Sequence, residues 1–211
     1  MDIGIVIDSA IDFYPRDLIE LQEFVASLAQ RYNVSRDRNR VGALFFSDEK
    51  WKSIQLNKFF NAPEFSSRLK SYLLMNNFNT VAEQLKLAYE KLLGPKAGAR
   101  ISVPKVIVLL THERSLRSMN RTALVAAMKP IEMSGIRVIV TVVGKSNHFP
   151  FIRNIVKKSS DVLMVPSLAD ALQTNFLNAI TKESMNAAGE YCDLSCHPFR
   201  ARLQILQKGN N

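Results

Sequence analysis

The sequence predicts a doubly wound α/β fold, on three observations. Nearly uninterrupted apolar runs at Asp2 to Asp8, Val106 to Leu110 and Ile136 to Val143 read as strands buried on both faces, as the strands of a parallel sheet are. Stretches with helical apolar spacing fall between the strands, so the two kinds of element alternate along the chain. The first run ends on a carboxylate, Asp8, and then breaks into Ser9, Ala10, Ile11 and Asp12. A buried strand that stops this way opens onto a crevice, and ligands of open α/β sheets bind at the strands' C-terminal ends. The expectation is a six-stranded, mostly parallel sheet with one antiparallel edge strand and helices on both faces.

After the first strand, Pro15 suits a helix's first turn, and Leu18, Leu21, Phe24, Val25 and Leu28 recur at helical spacing down to Tyr32. Val41 to Phe46 is a strand ending at Ser47-Asp48, and Trp51 to Leu56 alternates beside it after a short turn, which predicts an antiparallel hairpin at the sheet edge. Trp51 and the pair Phe45-Phe46 are expected in the core or on a sheet face. Pro63 to Leu74 reads as a short helix; Phe59, Phe60 and Phe65 either anchor it or form a sticky patch. Val81, Leu85, Ala88, Tyr89 and Leu92 mark a longer helix that ends before Gly94-Pro95.

The strand Val106 to Leu110 stops at Thr111-His112, and Met119 to Met133 reads as a helix that Pro130 should end or kink. The strand from Ile136 is followed by Gly144. A short helix is expected around Phe151 to Lys158, then a strand Val162 to Val165 and a last helix, Leu168 to Ile180, opened by Ser167. No repeat or linker interrupts this series, which predicts one domain over 1–183 and a cysteine-containing tail over 184–211.

With 211 residues, 47% hydrophobic and 22% charged, the chain has the composition of a globular domain large enough to bury roughly 70% of its unfolded surface. No apolar segment approaches the ~18 residues of a membrane span. The opening run is too short, and too soon followed by Asp8 and Asp12, for a signal peptide. The 28 Lys plus Arg against 19 Asp plus Glu give a formal +9, which favours polyanionic partners. The basic cluster Arg31, Arg36, Arg38 and Arg40 falls in a loop without the aromatic ladder that single-strand binding uses, so nucleic acid is not expected. Arg36, Arg38 and Arg40 are candidate contacts to acidic partners, weighed against a plain solvated loop.

Cys192 and Cys196 are too few for a zinc site even with His197. A disulfide, within the tail or between chains, is the better reading and implies an oxidising compartment. The triplets Asn33-Val-Ser35 and Asn120-Arg-Thr122 are N-glycosylation sequons and point the same way. Catalytic motifs are missing: no glycine-rich phosphate loop follows the first strand, and no G-x-S-x-G elbow occurs. Asp8 as a phosphoryl acceptor with Mg²⁺ would want a second carboxylate where Ala10 stands. An enzyme using Asp8 and Asp12 as acid and base lacks a partnered nucleophile or a cofactor motif.

Several segments, in this order and spacing, resemble a von Willebrand factor type A domain over about residues 2–183. They are Ile5-Val-Ile-Asp-Ser9, the helix from Pro15, Arg40-Val-Gly-Ala-Leu-Phe-Phe-Ser-Asp48, Asn79-Thr80 with Leu85, Lys105-Val-Ile-Val-Leu-Leu-Thr111, and Ile136-Arg-Val-Ile-Val-Thr-Val-Val-Gly144. The resemblance implies a Rossmann-like fold and an adhesion site at the strand ends. There a divalent cation is held by an Asp-x-Ser-x-Ser motif, a Thr from a second loop and an Asp from a third, with one position open for a ligand carboxylate. In this chain Asp8 matches the first Asp, but Ala10 and Asp12 replace the two serines. Asn79 or Thr80 falls at the Thr, and His112 replaces the last Asp.

Ala10 cannot ligate, and imidazole suits zinc-like ions better than Mg²⁺. No resident metal or other cofactor is expected, the alternative being a transition metal at Asp8, Asp12 and His112. Without metal, Asp8 is expected to pair with His112 or to accept from backbone N–H groups. His148, in a loop near the sheet end, is as easily a turn residue as a contact. The tail Cys192-Asp-Leu-Ser-Cys196 resembles the segment that follows an A domain in collagen VI-like chains. Together these imply a secreted, non-enzymatic adhesion module of the extracellular matrix, contacting collagenous or other matrix proteins and acidic glycans, without membrane insertion. An intracellular A-domain scaffold and the Asp8/Asp12 enzyme are the alternatives.

Overall fold

The computed structural model describes residues 1–8, 15–47, 50–71, 80–117, 119–145, 152 and 155–189. Six strands form one sheet: β1 (Asp2–Ile7), β2 (Arg40–Ser47), β3 (Lys50–Ile54), β4 (Lys105–His112), β5 (Arg137–Val143) and β6 (Val162–Val165). Their order is β3-β2-β1-β4-β5-β6. All neighbours are parallel except β3, which pairs antiparallel with β2. The helices are α1 (Pro15–Arg31), α2 (Ala62–Lys70), α3 (Val81–Leu87), α4 (Glu113–Arg117), α5 (Arg121–Met133) and α6 (Leu168–Ala171), followed by α7 over 174–189.

Alternation along β1 divides the core in two. Ile3, Ile5 and Ile7 face a layer with Leu21, Phe24 and Leu28 of α1, Phe65 and Leu69 of α2, and Leu177 and Ile180 of α7. Val6 faces the other layer with Val81 and Leu85 of α3, and Leu124, Met128 and Ile131 of α5. A strand buried on both faces cannot alternate apolar with polar residues, which is why β1 reads as a continuous apolar run.

Gly4 and Gly42 lie side by side in the β1–β2 register and make a notch in the second face. A Cβ on Gly42 would fall 2.7 Å from Leu92 Cδ1 and 2.8 Å from the Ile54 carbonyl oxygen. Leu92 closes the π-helical turn Ala88–Leu92 that continues α3. The widened turn and the missing side chains together let the helix end sit directly on the sheet.

The predicted helices differ from the observed ones in detail. Pro130 lies inside α5 and does not end it. The carbonyl it deprives of a donor is that of Ala126, an exposed residue, so water can satisfy that oxygen. The stretch before α5 holds a separate helix, α4. The last predicted helix is two, α6 and α7, and α7 continues past residue 180 through 189. Residues 159–161 form a 3-10 turn near where a short helix was expected; residues 151, 153 and 154 lie outside the described residues.

The strand starts are tied down by buried ions. Asp161, fully buried before β6, accepts from Arg137 of β5 at 2.5, 2.9 and 3.0 Å. Asp2, equally buried at the start of β1, accepts from the Arg100 guanidinium at 2.7 and 2.9 Å and from its backbone N–H at 2.6 Å. Paired geometry of this kind is what makes a buried charge tolerable.

Trp51 is 40% exposed, because β3 is the outer strand and its side chains have no further strand beside them. Phe45 and Phe65 are fully buried, so Phe65 anchors α2 while Phe59 and Phe60 are half-buried.

Candidate functional site

The crevice at the C-terminal ends of β1 and β4 is built around Asp8. The parallel β1–β4 register carries Ile7 opposite Leu110, and the Asp8 backbone N–H donates to the Leu110 carbonyl at 2.8 Å. That bond holds Asp8 at the strand end with its side chain 1% exposed. Gln84 Nε2 donates to Asp8 Oδ1 at 2.8 Å, and Thr111 Oγ1 donates to Asp8 Oδ2 at 2.5 Å. Each carboxylate oxygen thus has its own donor, and Gln84 and Thr111 are themselves fully or almost fully buried.

Local chemistry places both donors. Thr80 is the N-cap of α3: its hydroxyl accepts from the Glu83 N–H at 3.3 Å, and the Glu83 carboxylate accepts from the Thr80 N–H at 2.9 Å. This capping box fixes the first turn of α3, and the next residue, Gln84, faces inward onto β1. Thr111 is the penultimate residue of β4, beside Val142 of β5, one step past the apolar run.

His112 ends β4 half-buried, and its Nδ1 accepts from the Arg114 backbone N–H at 3.1 Å. The neutral ring accordingly carries its proton on Nε2. Partial burial pushes the His112 pKa below the usual imidazole value, with Arg114 acting the same way and Glu113 and Asp8 opposing it. Where His112 or backbone N–H groups were the expected partners of Asp8, its side chain accepts from Gln84 and Thr111, and His112 Nδ1 accepts from the turn that opens α4.

A hard divalent cation needs several oxygen lone pairs converging on one vacant point. The described residues do not offer that arrangement. Both Asp8 oxygens already accept from side chains, the Thr80 hydroxyl belongs to a capping box, and no group of three or more His, Cys, Asp or Glu could hold a metal among the described residues. Ala10, Asp12 and Asn79 lie outside the described residues, as do His148, Cys192 and Cys196.

The other predicted positions lie elsewhere. Arg36, Arg38 and Arg40 stand at the opposite, N-terminal end of the sheet, beside the start of β2. Asn33 is exposed in a left-handed turn with φ of 50° just after α1. Asn120 is the exposed N-cap of α5, its side-chain oxygen accepting from the Ala123 N–H at 3.1 Å. Sequence reasoning missed Gln84. The available signal was an uncharged amide, between Val81 and Leu85, on the apolar face of a predicted helix.

The family model described as von Willebrand factor type A domain matches residues 2–178. The human collagen alpha-6(VI) chain is 28% identical over 117 residues, 54% of this chain and 5% of its own length. Human von Willebrand factor A domain-containing protein 2 is 25% identical over 144 residues, 68% of this chain and 18% of its own. Chicken matrilin-1 is 24% identical over 115 residues, 54% of this chain and 23% of its own. The chain thus spans less than a quarter of each of these relatives. Among solved structures, proximal thread matrix protein 1 from the mussel byssus superposes with a TM-score of 0.72 at 18% identity, over 85% of this chain and 46% of that one. Another structure of that protein, described as having a zinc-occupied metal site, gives 0.68 at 14% identity over 88% of this chain and 45% of that one; both likenesses concern the fold. With the sheet order, the crevice at Asp8 and a match across residues 2–178, the chain belongs to the von Willebrand factor type A domain family, among relatives that include collagen VI chains and matrilin.

Proposed function

We infer that this domain is a non-enzymatic interaction module of a secreted extracellular matrix protein, binding collagenous or other matrix proteins by surface shape and charge without a bridging cation. The observation that carries the reading is the state of Asp8. The carboxylate that would anchor a cation already accepts a hydrogen bond on each oxygen, from Gln84 and from Thr111. The crevice then serves to hold β1, β4 and α3 together. Kinship with collagen VI chains and matrilin supports the matrix assignment, and the two sequons and the two cysteines of the tail agree with secretion.

The test combines melting and binding. The full chain is melted in chelator and then with Mg²⁺, Mn²⁺ or Zn²⁺, and its binding to collagen VI and to matrilin is measured with chelator and across a salt series. An ion at 100 times its dissociation constant would add about 2.7 kcal/mol to stability, a shift of several degrees. The expected result is no shift with any ion, binding retained in chelator, and binding weakened as salt screens the charges. Binding abolished by chelator and restored by one of the ions would overturn the metal-free reading.

A further inference from the structure

The sheet's other end carries an organised cationic surface that the fold assembles from three separate segments. The loop over 34–39 is folded on itself: the Ser35 N–H donates to the Asn39 carbonyl at 2.9 Å, and the Arg38 N–H donates to Ser35 Oγ at 3.1 Å. Arg40 then donates through Nε to the Arg36 carbonyl at 2.9 Å and through a terminal nitrogen to the Gly98 carbonyl at 3.1 Å. Gly98, in left-handed backbone with φ of 87°, packs so closely on Asn57 that a Cβ there would fall 2.5 Å from the Asn57 Cβ. With Lys58 next to Asn57 and Lys96 two residues before Gly98, all five basic residues fall at this end of the sheet. The guanidinium carbons of Arg36 and Arg40 stand over the Phe60 ring at 5.0 and 5.6 Å, which fixes two of the cations in place.

Arg36, Arg38, Lys58 and Lys96 are exposed, and none of the five cations has a carboxylate within salt-bridge distance among the described residues. Arg100, the sixth cation nearby, is committed to Asp2. A single exposed ion pair adds little to binding, so an array of separated cations gains affinity only from a ligand that meets several at once. Guanidinium groups match oxyanions in bidentate fashion, and sulfate groups stay ionised throughout the physiological range. The Phe60 ring that a nucleic-acid base would stack upon is already covered by two guanidinium groups.

We propose that the Arg36, Arg38, Arg40, Lys58 and Lys96 surface binds a sulfated polysaccharide, at the end of the sheet opposite the Asp8 crevice. The proposal does not depend on where protein partners bind, so the loss of one reading leaves the other standing.

The experiment uses the full chain and heparin as probe, with completely desulfated heparin and a duplex DNA of equal charge as comparators, at 0.15 M salt. The variant Arg38→Gln/Lys58→Gln/Lys96→Gln removes three charges whose side chains make no hydrogen bond among the described residues. Lys86→Gln/Lys129→Gln/Lys182→Gln removes three exposed charges from α3, α5 and α7. Heparin affinity should fall about tenfold or more in the first triple variant, and less than about threefold in the second, with little binding of desulfated polymer by the unmodified chain. Equal losses in both triples would mean that net charge alone attracts the polymer and would overturn the proposal. Tighter binding of DNA than of heparin would overturn it too, by assigning the surface to nucleic acid. Circular dichroism melts of both variants confirm that folding is unchanged, and collagen VI and matrilin binding measured on the same samples reports separately on the protein-contact surface.

Discussion

Gln84 shows how one neutral side chain can hold a buried carboxylate. A carboxylate buried at a strand end must be compensated, by a cation or by donors. Here an amide and a hydroxyl donate to Asp8, which ties the end of β1 to β4 and α3. Replacing Gln84 with Ala removes one donor to a carboxylate that is almost fully buried. The expected cost is about 1–3 kcal/mol, read as a lower denaturant midpoint with an unchanged slope; an unchanged midpoint would show that water or another group substitutes for the amide. His112 gives a second prediction, in pH. Its folded pKa lies below the usual value, so the folded state takes up a proton less readily than the unfolded one. Stability is then full above the ordinary imidazole range, falls as pH drops through about 6.5, and stops falling below the lowered folded value. The melting temperature of the unmodified chain should fall more between pH 7.5 and 5 than that of His112→Gln, and equal falls would remove His112 from the balance.

At the level of elements, the strands were the most legible part of the chain. β1, β4 and β5 announce themselves as continuous apolar runs because both sheet faces are covered, and β3 announces itself by alternation because it is an edge. Helices were readable from spacing, but their ends were not. Pro130 misled because its cost depends on whether the orphaned carbonyl of Ala126 is wet, a fact of burial and not of sequence. The Ala88–Leu92 π turn answers to the notch at Gly4 and Gly42, which only strand register brings together. The crevice was half legible for a similar reason. Asp8 could be picked out because it breaks an apolar run, whereas its partners Gln84 and Thr111 stand 76 and 103 residues away and carry no motif. The sequence offered His112 or backbone N–H groups as partners of Asp8, and the backbone at the start of α4 occupies Nδ1 of His112. Arg36, Arg38 and Arg40 were visible as a charge run, while Lys58 and Lys96, distant in sequence, reach the same sheet end where Gly98 packs on Asn57.

For the molecule as a whole, α7 carries the described core past residue 183. Its inner face returns along the α1 side of the sheet, placing Leu177, Ile180 and Ala187 in the core that Ile3 and Ile5 share. Near its end, Ser184 meets Tyr32, one of the largest fully buried side chains. The Tyr32 hydroxyl donates to Ser184 Oγ at 2.8 Å, and Ser184 in turn donates to the Ile180 carbonyl at 2.9 Å. Burial pushes the Tyr32 phenol far above its ordinary pKa, so the hydroxyl stays protonated and needs an acceptor. A chain cut after residue 183 removes that acceptor and the buried Ala187, exposing apolar surface beside α1. The expected loss, relative to a chain cut after residue 189, is about 2–4 kcal/mol, the sum of one orphaned buried hydroxyl and a small apolar side chain. Tyr32→Phe in the shorter chain should recover part of it, since a phenyl ring has no donor to leave unpaired. Equal melting temperatures for the 1–183 and 1–189 chains would mean that the last turns of α7 lie against the domain without supporting it.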